Sequence, residues 1–284
     1  MFDALKRLLS KAGTADDSPP EDGVPAELLA RARTGDLDAE NEIGLAYVRE
    51  GETDKARRWF DHAARQGSPR AKHNMGVLAA QAGDRTTAIR WFRTAVADGW
   101  RNSVAPLGLL LEQQDDRKGA IEAYEIGAGQ GCHLSQDALG RLAMEEETEE
   151  SYQAARRWCE LSARQGNESA QTRLGTIFHE GLGVERDPKQ AAHWFLAGAQ
   201  RGHQGAQMMI GMACHLGIGV EADRLCATRW LRLSASQGNE FARAYLHRVE
   251  SELTPEERSL LEAFPDEYAA YQRAMPWRLI PKVW

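Results

Sequence analysis

Cysteine is scarce. Four occur in 284 residues, at unrelated spacings, which excludes the disulfide framework that staples a small secreted fold and favours a reducing compartment, the cytoplasm. Long apolar runs are missing as well, because charges interrupt each one well short of the 18 or so residues of a membrane span. Positive charge is not in excess: 35 Lys+Arg stand against 42 Asp+Glu, a net charge of -7. That balance argues against a nucleic-acid partner, whose phosphates need clustered Lys and Arg. His-Glu-x-x-His, Cys-x-x-Cys and Ser-x-x-Lys are absent, so no motif announces a metal site or a nucleophilic centre. With 42% apolar and 27% charged residues, the composition is that of a folded globular chain and too apolar for disorder.

What is present is a repeat. Gly35, Gly67, Gly99, Gly131, Gly166, Gly202 and Gly238 are spaced by 32, 32, 32, 35, 36 and 36 residues. Four residues after each mark the side chain is small: Ala39, Ala71, Ser103, Ser135, Ala170, Ala206 and Ala242. Eight after, it is large and apolar, from Ile43 to Leu246; nine after stand Gly44, Gly76, Gly108, Gly140, Gly175 and Gly211. Counting back from the next mark, Ala56, Ala88, Ala120, Ala155, Ala191 and Ala227 stand eleven before it, and Trp59, Trp91, Trp158, Trp194 and Trp230 eight before it. These separations are helical. Asp84, Asp116, Ser151, Asp187 and Asp223, fifteen before the mark, are expected to cap the second helix, and the marked Gly is expected to end it in a left-handed turn. Each unit is then helix A, turn, helix B, turn. The small residues allow close approach, and the Trp with the following Phe60, Phe92, Tyr124 and Phe195 is expected to fill the space between units. A unit that cannot bury its own faces must stack on its neighbours.

This pattern resembles the SEL-like repeat family of the tetratricopeptide-like superhelices. The likeness is strongest over residues 170–202 and 206–238, which carry Leu-Gly or Ile-Gly in helix A, a Gly-x-Gly-Val turn, an Asp before helix B, Ala-x-x-Trp, and a closing Arg-Gly or Gln-Gly. The first three units lack the Gly-x-Gly-Val turn and stand nearer to plain tetratricopeptide units. The resemblance implies an all-α fold, an α/α solenoid (superhelix) of about six to seven helix-turn-helix repeats over residues 25–250. It also implies a bacterial-type, non-enzymatic scaffold for protein-protein interaction. Cysteine-rich relatives that resemble β-lactamases carry a matched Cys pair in every repeat. Here Cys132, Cys159, Cys214 and Cys226 take four different register positions, which makes a hydrolase-like enzyme the weaker alternative. No cofactor, metal or catalytic residue is expected.

The family register places helix A on a concave groove. Its positions six, ten and thirteen after the mark supply the candidates for a peptide or protein partner: Asn41, His73, Val77, Leu109, Arg141, Thr172, Thr176, His179, Met208, Met212 and His215. Mobile Met and polar His suit an adaptable surface. The run Glu145–Glu150 reads as a solvated acidic turn, and the Gly-x-Gly-Val stretches as turns rather than phosphate loops.

The ends differ from the array. Residues 1–24 read as a short amphipathic helix, with peripheral membrane contact open to residues 1–11, followed by a flexible acidic linker. Residues 25–34 read as a lone helix B. Residues 251–284 read as capping helices opened by a Thr254–Glu257 capping box, then an aromatic-proline tail that docks on the last repeat or on a partner. A localisation module working through either end is a further reading.

Overall fold

The computed structural model describes residues 19–263. The amphipathic helix expected near the start and the aromatic-proline tail lie outside the described residues. The chain divides into two compact units, Met1–Gln130 and Gly131–Trp284. Among the described residues every regular element is helical and none is a strand, as the repeat register demands.

In the first unit a lone α1 (Ala26–Arg33) precedes three hairpins: α2 (Leu37–Arg49) with α3 (Thr53–Arg65), α4 (Pro69–Gln81) with α5 (Arg85–Ala97), and α6 (Val104–Glu112) with α7 (Arg117–Gly129). The second unit holds three, α8 (His133–Met144) with α9 (Glu149–Arg164), α10 (Glu168–Glu180) with α11 (Pro188–Gln200) and α12 (Gln204–Leu216) with α13 (Arg224–Ser236), followed by α14 (Glu240–Ser251) and α15 (Pro255–Ala263). The marked glycines end helix B as expected; Gly67 and Gly202 hold φ of 96° and 95°, a region costly for a side chain with a Cβ.

Helix starts follow from their caps. Asp84, Asp116 and Asp223 accept the backbone N–H three residues on, at 3.0, 2.9 and 2.9 Å. Ser151 is not a cap. Thr148 begins α9 three residues earlier, and Ser151 closes its capping box: Ser151 N donates to Thr148 Oγ1 at 3.1 Å and Thr148 N to Ser151 Oγ at 3.0 Å. Glu149 and Glu150 of the acidic run therefore sit in a helical first turn, where the helix dipole favours them. Helix A has its own cap column, one residue after the mark: the side chains of Asp36, Ser68, Asn167, His203 and Asn239 all accept a backbone N–H. Trp100 and Cys132 do not, and the third repeat opens instead with a 3₁₀ turn, Arg101–Ser103, before α6.

The aromatic after the Trp column packs on helix A of its own repeat and also joins core clusters that reach the next one, Phe60 with Leu78 and Phe195 with Ile210. Each helix-A glycine is the floor for a helix-B side chain: Gly76 for Phe92, Gly140 for Cys159, Gly175 for Phe195, Gly211 for Leu231. A Cβ added at Gly175 would lie 2.5 Å from the Phe195 ring. The Ala columns complete the seam; Ala56, Ala88, Ala120, Ala155 and Ala227 are fully buried. The Gly-x-Gly-Val turns are packing devices too, since a Cβ at Gly219 would collide with the Pro188 carbonyl.

A second interaction ties the hairpins. The residue five after the mark meets the residue just before the next mark. Gln66 Nε2 donates to buried Glu40 at 3.1 Å, Lys72 pairs with Asp98, Gln165 Nε2 donates to Gln136 at 2.8 Å, and Gln237 Nε2 to Gln207 at 2.7 Å. Residue types change among these four repeats while donor–acceptor complementarity is kept, which satisfies side chains that burial would otherwise leave unpaired; in the repeat after Gly166 the equivalent Gln171 donates to the Ala163 carbonyl instead.

The acidic linker is not free along its whole length. Residues 19–24 lie along the start of the first unit, where Trp59 Nε1 donates to the Pro20 carbonyl at 2.7 Å. At the other end, the Thr254 capping box forms as expected, with Glu257 N donating to Thr254 Oγ1 at 3.1 Å and Thr254 N to Glu257 Oε2 at 2.8 Å.

Candidate functional site

Periodicity identifies a helix face but not its exposure, and the eleven groove candidates divide on that point. Asn41 is fully buried. It donates to the Leu37 carbonyl at 2.7 Å and to Ser68 Oγ at 3.0 Å, and accepts from Asn74 at 3.1 Å. A ligand cannot reach it. His215 is likewise withdrawn: its side chain is 7% exposed and bridges Tyr245 OH and Glu252, each at 2.8 Å. His73 is half-buried against the Phe92 and Trp100 rings, with Nδ1 2.9 Å from Ser103 Oγ; burial pushes its pKa below the ordinary 6.5. Met208 packs on the core of the second unit, and Asn239 Nδ2 approaches its sulfur at 3.7 Å. Asn41 and His215 serve the fold, while His73 and Met208 pack on it and stay half-buried.

The others keep access. In the first unit Leu109 is 53% exposed and Val77 is half-buried. In the second unit Arg141, Thr172, Thr176, His179 and Met212 are all half-buried. The structure brings three of these together. Arg141 from α8 and Thr172 and Thr176 from α10 line an open depression of about 490 Å³, together with Met144, Glu145, Glu147, Ser169, Arg173 and His203. His179 and Met212 are not part of it.

The lining carries both charges. Arg141 is 2.7 Å from Glu145, and Arg173 makes a two-point contact with Asp137 at 3.1 Å for each nitrogen. The threonine hydroxyls donate back to their own helix, Thr172 to the Glu168 carbonyl at 2.7 Å and Thr176 to the Thr172 carbonyl at 3.2 Å. Their remaining capacity is as acceptors. His203, which the groove register omitted, caps α12: its Nδ1 accepts Ala206 N–H at 3.2 Å. An accepting Nδ1 carries no proton, so the neutral ring bears its proton on Nε2.

That cap makes stability respond to acid. Desolvation lowers the His203 pKa below 6.5. In the unfolded chain the ring titrates near its ordinary value, so the contribution of the neutral ring is complete above about pH 6.5 and is lost as pH falls through the lower folded value. Asn is among the best caps and does not titrate. His203→Asn should therefore hold at least the parent melting temperature at pH 7.5 and lose less of it at pH 5.5. Parallel curves across that range would show that His203 is not the group that protonates.

Among the described residues no three or more His, Cys, Asp or Glu side chains come together as a metal site, and no helix is long and apolar enough to cross a membrane.

Stacked helical hairpins with this register of small residues define a repeat protein of the αα class, one whose units present helix surfaces. The Sel1 repeat model matches residues 39–68, 70–100, 134–167, 168–203 and 205–239, more than half of the chain. The protein belongs to the Sel1 repeat family. The gap between the second and third matches is the uncapped repeat that opens with a 3₁₀ turn and has Ala123 in place of Trp. Among solved structures, c5321 of uropathogenic Escherichia coli, a protective antigen displaying an SLR fold, is 25% identical with a TM-score of 0.77, over 87% of this chain and 58% of that one. A Sel1 repeat protein from Oxalobacter formigenes is 25% identical with a TM-score of 0.69, over 75% of this chain and 65% of that one. This chain thus spans less than two thirds of either. No curated protein matches. The Sel1 repeat fold commonly mediates protein-protein interaction and is typically a non-catalytic scaffold.

Proposed function

We propose that the protein is a non-enzymatic scaffold that holds a peptide or protein segment on its helix-A surfaces. The observation that carries this reading is the depression in the second unit, where Arg141 of one repeat and Thr172 and Thr176 of the next line the same surface. A segment laid across two repeats gains several weak contacts at once, the way extended peptides are held. The lining offers hydroxyl acceptors, a histidine N–H and charges of both signs. That mixture suits backbone amides and polar side chains better than a small apolar molecule, whose pockets are mostly apolar.

Thr176→Arg tests it. Position 176 is half-exposed on a helix that Arg tolerates, so helicity should persist while the depression fills. Affinity for a partner captured by the full chain should fall at least about tenfold, the factor that 1.4 kcal/mol represents. A partner that binds the variant normally but is lost when residues 265–284 are deleted would make the tail the working surface.

A further inference from the structure

The start of the first unit holds an occupied binding face outside the depression. Residues 20–22, Pro-Glu-Asp, lie against side chains from three helices, and the backbone then turns at Asp22 and Gly23, with Val24 N donating to the Glu21 carbonyl at 3.2 Å. Trp59 Nε1 donates to the Pro20 carbonyl at 2.7 Å, and Tyr47 OH donates to the Asp22 carbonyl at 2.5 Å. Arg33 grips both Glu21 carboxylate oxygens, at 2.5 and 3.2 Å, and Lys55 Nζ is 2.6 Å from Asp22 Oδ2. The Lys55 ammonium holds the Asp22 carboxyl below its usual range. Trp59 and Tyr47 are only 4% and 3% exposed. Two carbonyls and two carboxylates within three residues are therefore matched by two aromatic donors and two cations.

The division of labour is that of a peptide site. Carbonyl recognition accepts any backbone that follows this path. The Arg and Lys select acidic side chains, Arg33 by the two-point geometry that suits a carboxylate. Proline restricts the backbone ahead of the turn, so less ordering is needed to bind it. The cis segment is joined to α1 by only a few residues. A tether that short gives an effective concentration of about millimolar. It would keep the face closed to weak ligands while a tighter or multivalent one displaced it.

We propose that the face formed by Arg33, Tyr47, Lys55 and Trp59 is a docking site for an acidic, proline-containing segment of a partner protein that turns at its acidic pair, and that residues 20–22 occupy it in cis as an exchangeable plug. The site is separate from the depression on α8 and α10 and does not depend on it.

The test uses the full chain and a fluorescein-labelled peptide, Pro-Pro-Glu-Asp-Gly-Val, followed by anisotropy. Glu21→Lys/Asp22→Lys alters only the plug, at two exposed positions, and Asp22→Asn is a milder opening that guards against misfolding. Peptide affinity should rise from the parent through Asp22→Asn to the double variant, by at least about tenfold overall. Adding Arg33→Glu and Lys55→Glu to the double variant should abolish binding, and Trp59→Phe should weaken it at least threefold. A peptide with Lys-Lys in place of Glu-Asp should not bind. If the opened chains bind the acidic peptide no better than the parent, or bind the Lys-Lys peptide equally, residues 20–22 are a fixed cap and the proposal fails. If the parent dimerises with concentration and the double variant does not, the trans occupant is a second copy of this chain, and the assignment to a partner protein is wrong.

Discussion

Replacing Phe195 by Ala should destabilise the protein by about 3–5 kcal/mol, and replacing Gly175 by Ala by about 1–3 kcal/mol, yet the two losses should not add. Phe195 is 2% exposed, and its ring lies where a Cβ at Gly175 would stand, 2.5 Å away. Removing the ring opens a cavity in a seam that both helices hold rigid. Adding the methyl to the intact seam forces the ring or the helix to move. Once the ring is gone the methyl loses its three nearest neighbours, all atoms of that ring, and Ala has the better helix propensity, so Gly175→Ala in the Phe195→Ala background should gain about 0.5–1 kcal/mol. The sign of the glycine substitution thus inverts, with a coupling of roughly 1.5–4 kcal/mol. Gly129, at the end of α7 with open space around it, is the control: Gly129→Ala should be neutral or slightly stabilising in any background. Urea unfolding of the four proteins measures the cycle. Additive losses would mean that Gly175 and Phe195 do not touch.

The pairing of Gly175 with Phe195 shows how far the sequence could be read. A column of glycines nine residues after each mark says that something approaches helix A closely. It does not say what. The contact was nonetheless visible in the register, because Phe60, Phe92, Tyr124, Cys159, Phe195 and Leu231 share one column seven before the next mark. The helix-A caps were legible in the same way and were passed over, because a column of Asp36, Ser68, Asn167, His203 and Asn239 shares a role and not a residue type. His203 hides best, being a poor statistical cap that works only as the neutral tautomer. The site was less legible than the fold. Facing a groove and being exposed in it are different properties. Asn41 and His215 have the register of groove residues, but Ser68 and Asn74 enclose the first and Tyr245 and Glu252 the second. Those partners come from the neighbouring repeat, 27 to 37 residues away, beyond what a local pattern reports. The plug at residues 20–22 was read as linker for the same reason. Its composition is that of a linker, and what holds it are donors on Tyr47 and Trp59, more than twenty residues downstream.

The cysteines supply the other large effect. Register alone separates Cys214 from Cys226, yet the hairpin turn between α12 and α13 places their sulfurs 2.9 Å apart, both buried. Cys159 is buried on the Gly140 seam, and Cys132 alone is half-exposed. Reaction with an aromatic disulfide reagent needs a thiolate that the reagent can touch. Burial pushes the Cys159 thiol up to about 12, and the hydrogen bond shared with Cys226, together with burial, raises that of Cys214. Both effects oppose reaction in the folded state, so these three thiols must wait for an opening. If that opening costs about 4 kcal/mol or more, their rates fall at least roughly a thousandfold below that of Cys132. The expected titration of the reduced protein is one fast thiol and three slow ones, with all four equal in denaturant. Mass spectrometry of the labelled peptides identifies the fast one. Rapid labelling of Cys214 or Cys226 without denaturant would mean that α12 and α13 do not close on each other, and the packing of the closing repeats would have to be redrawn.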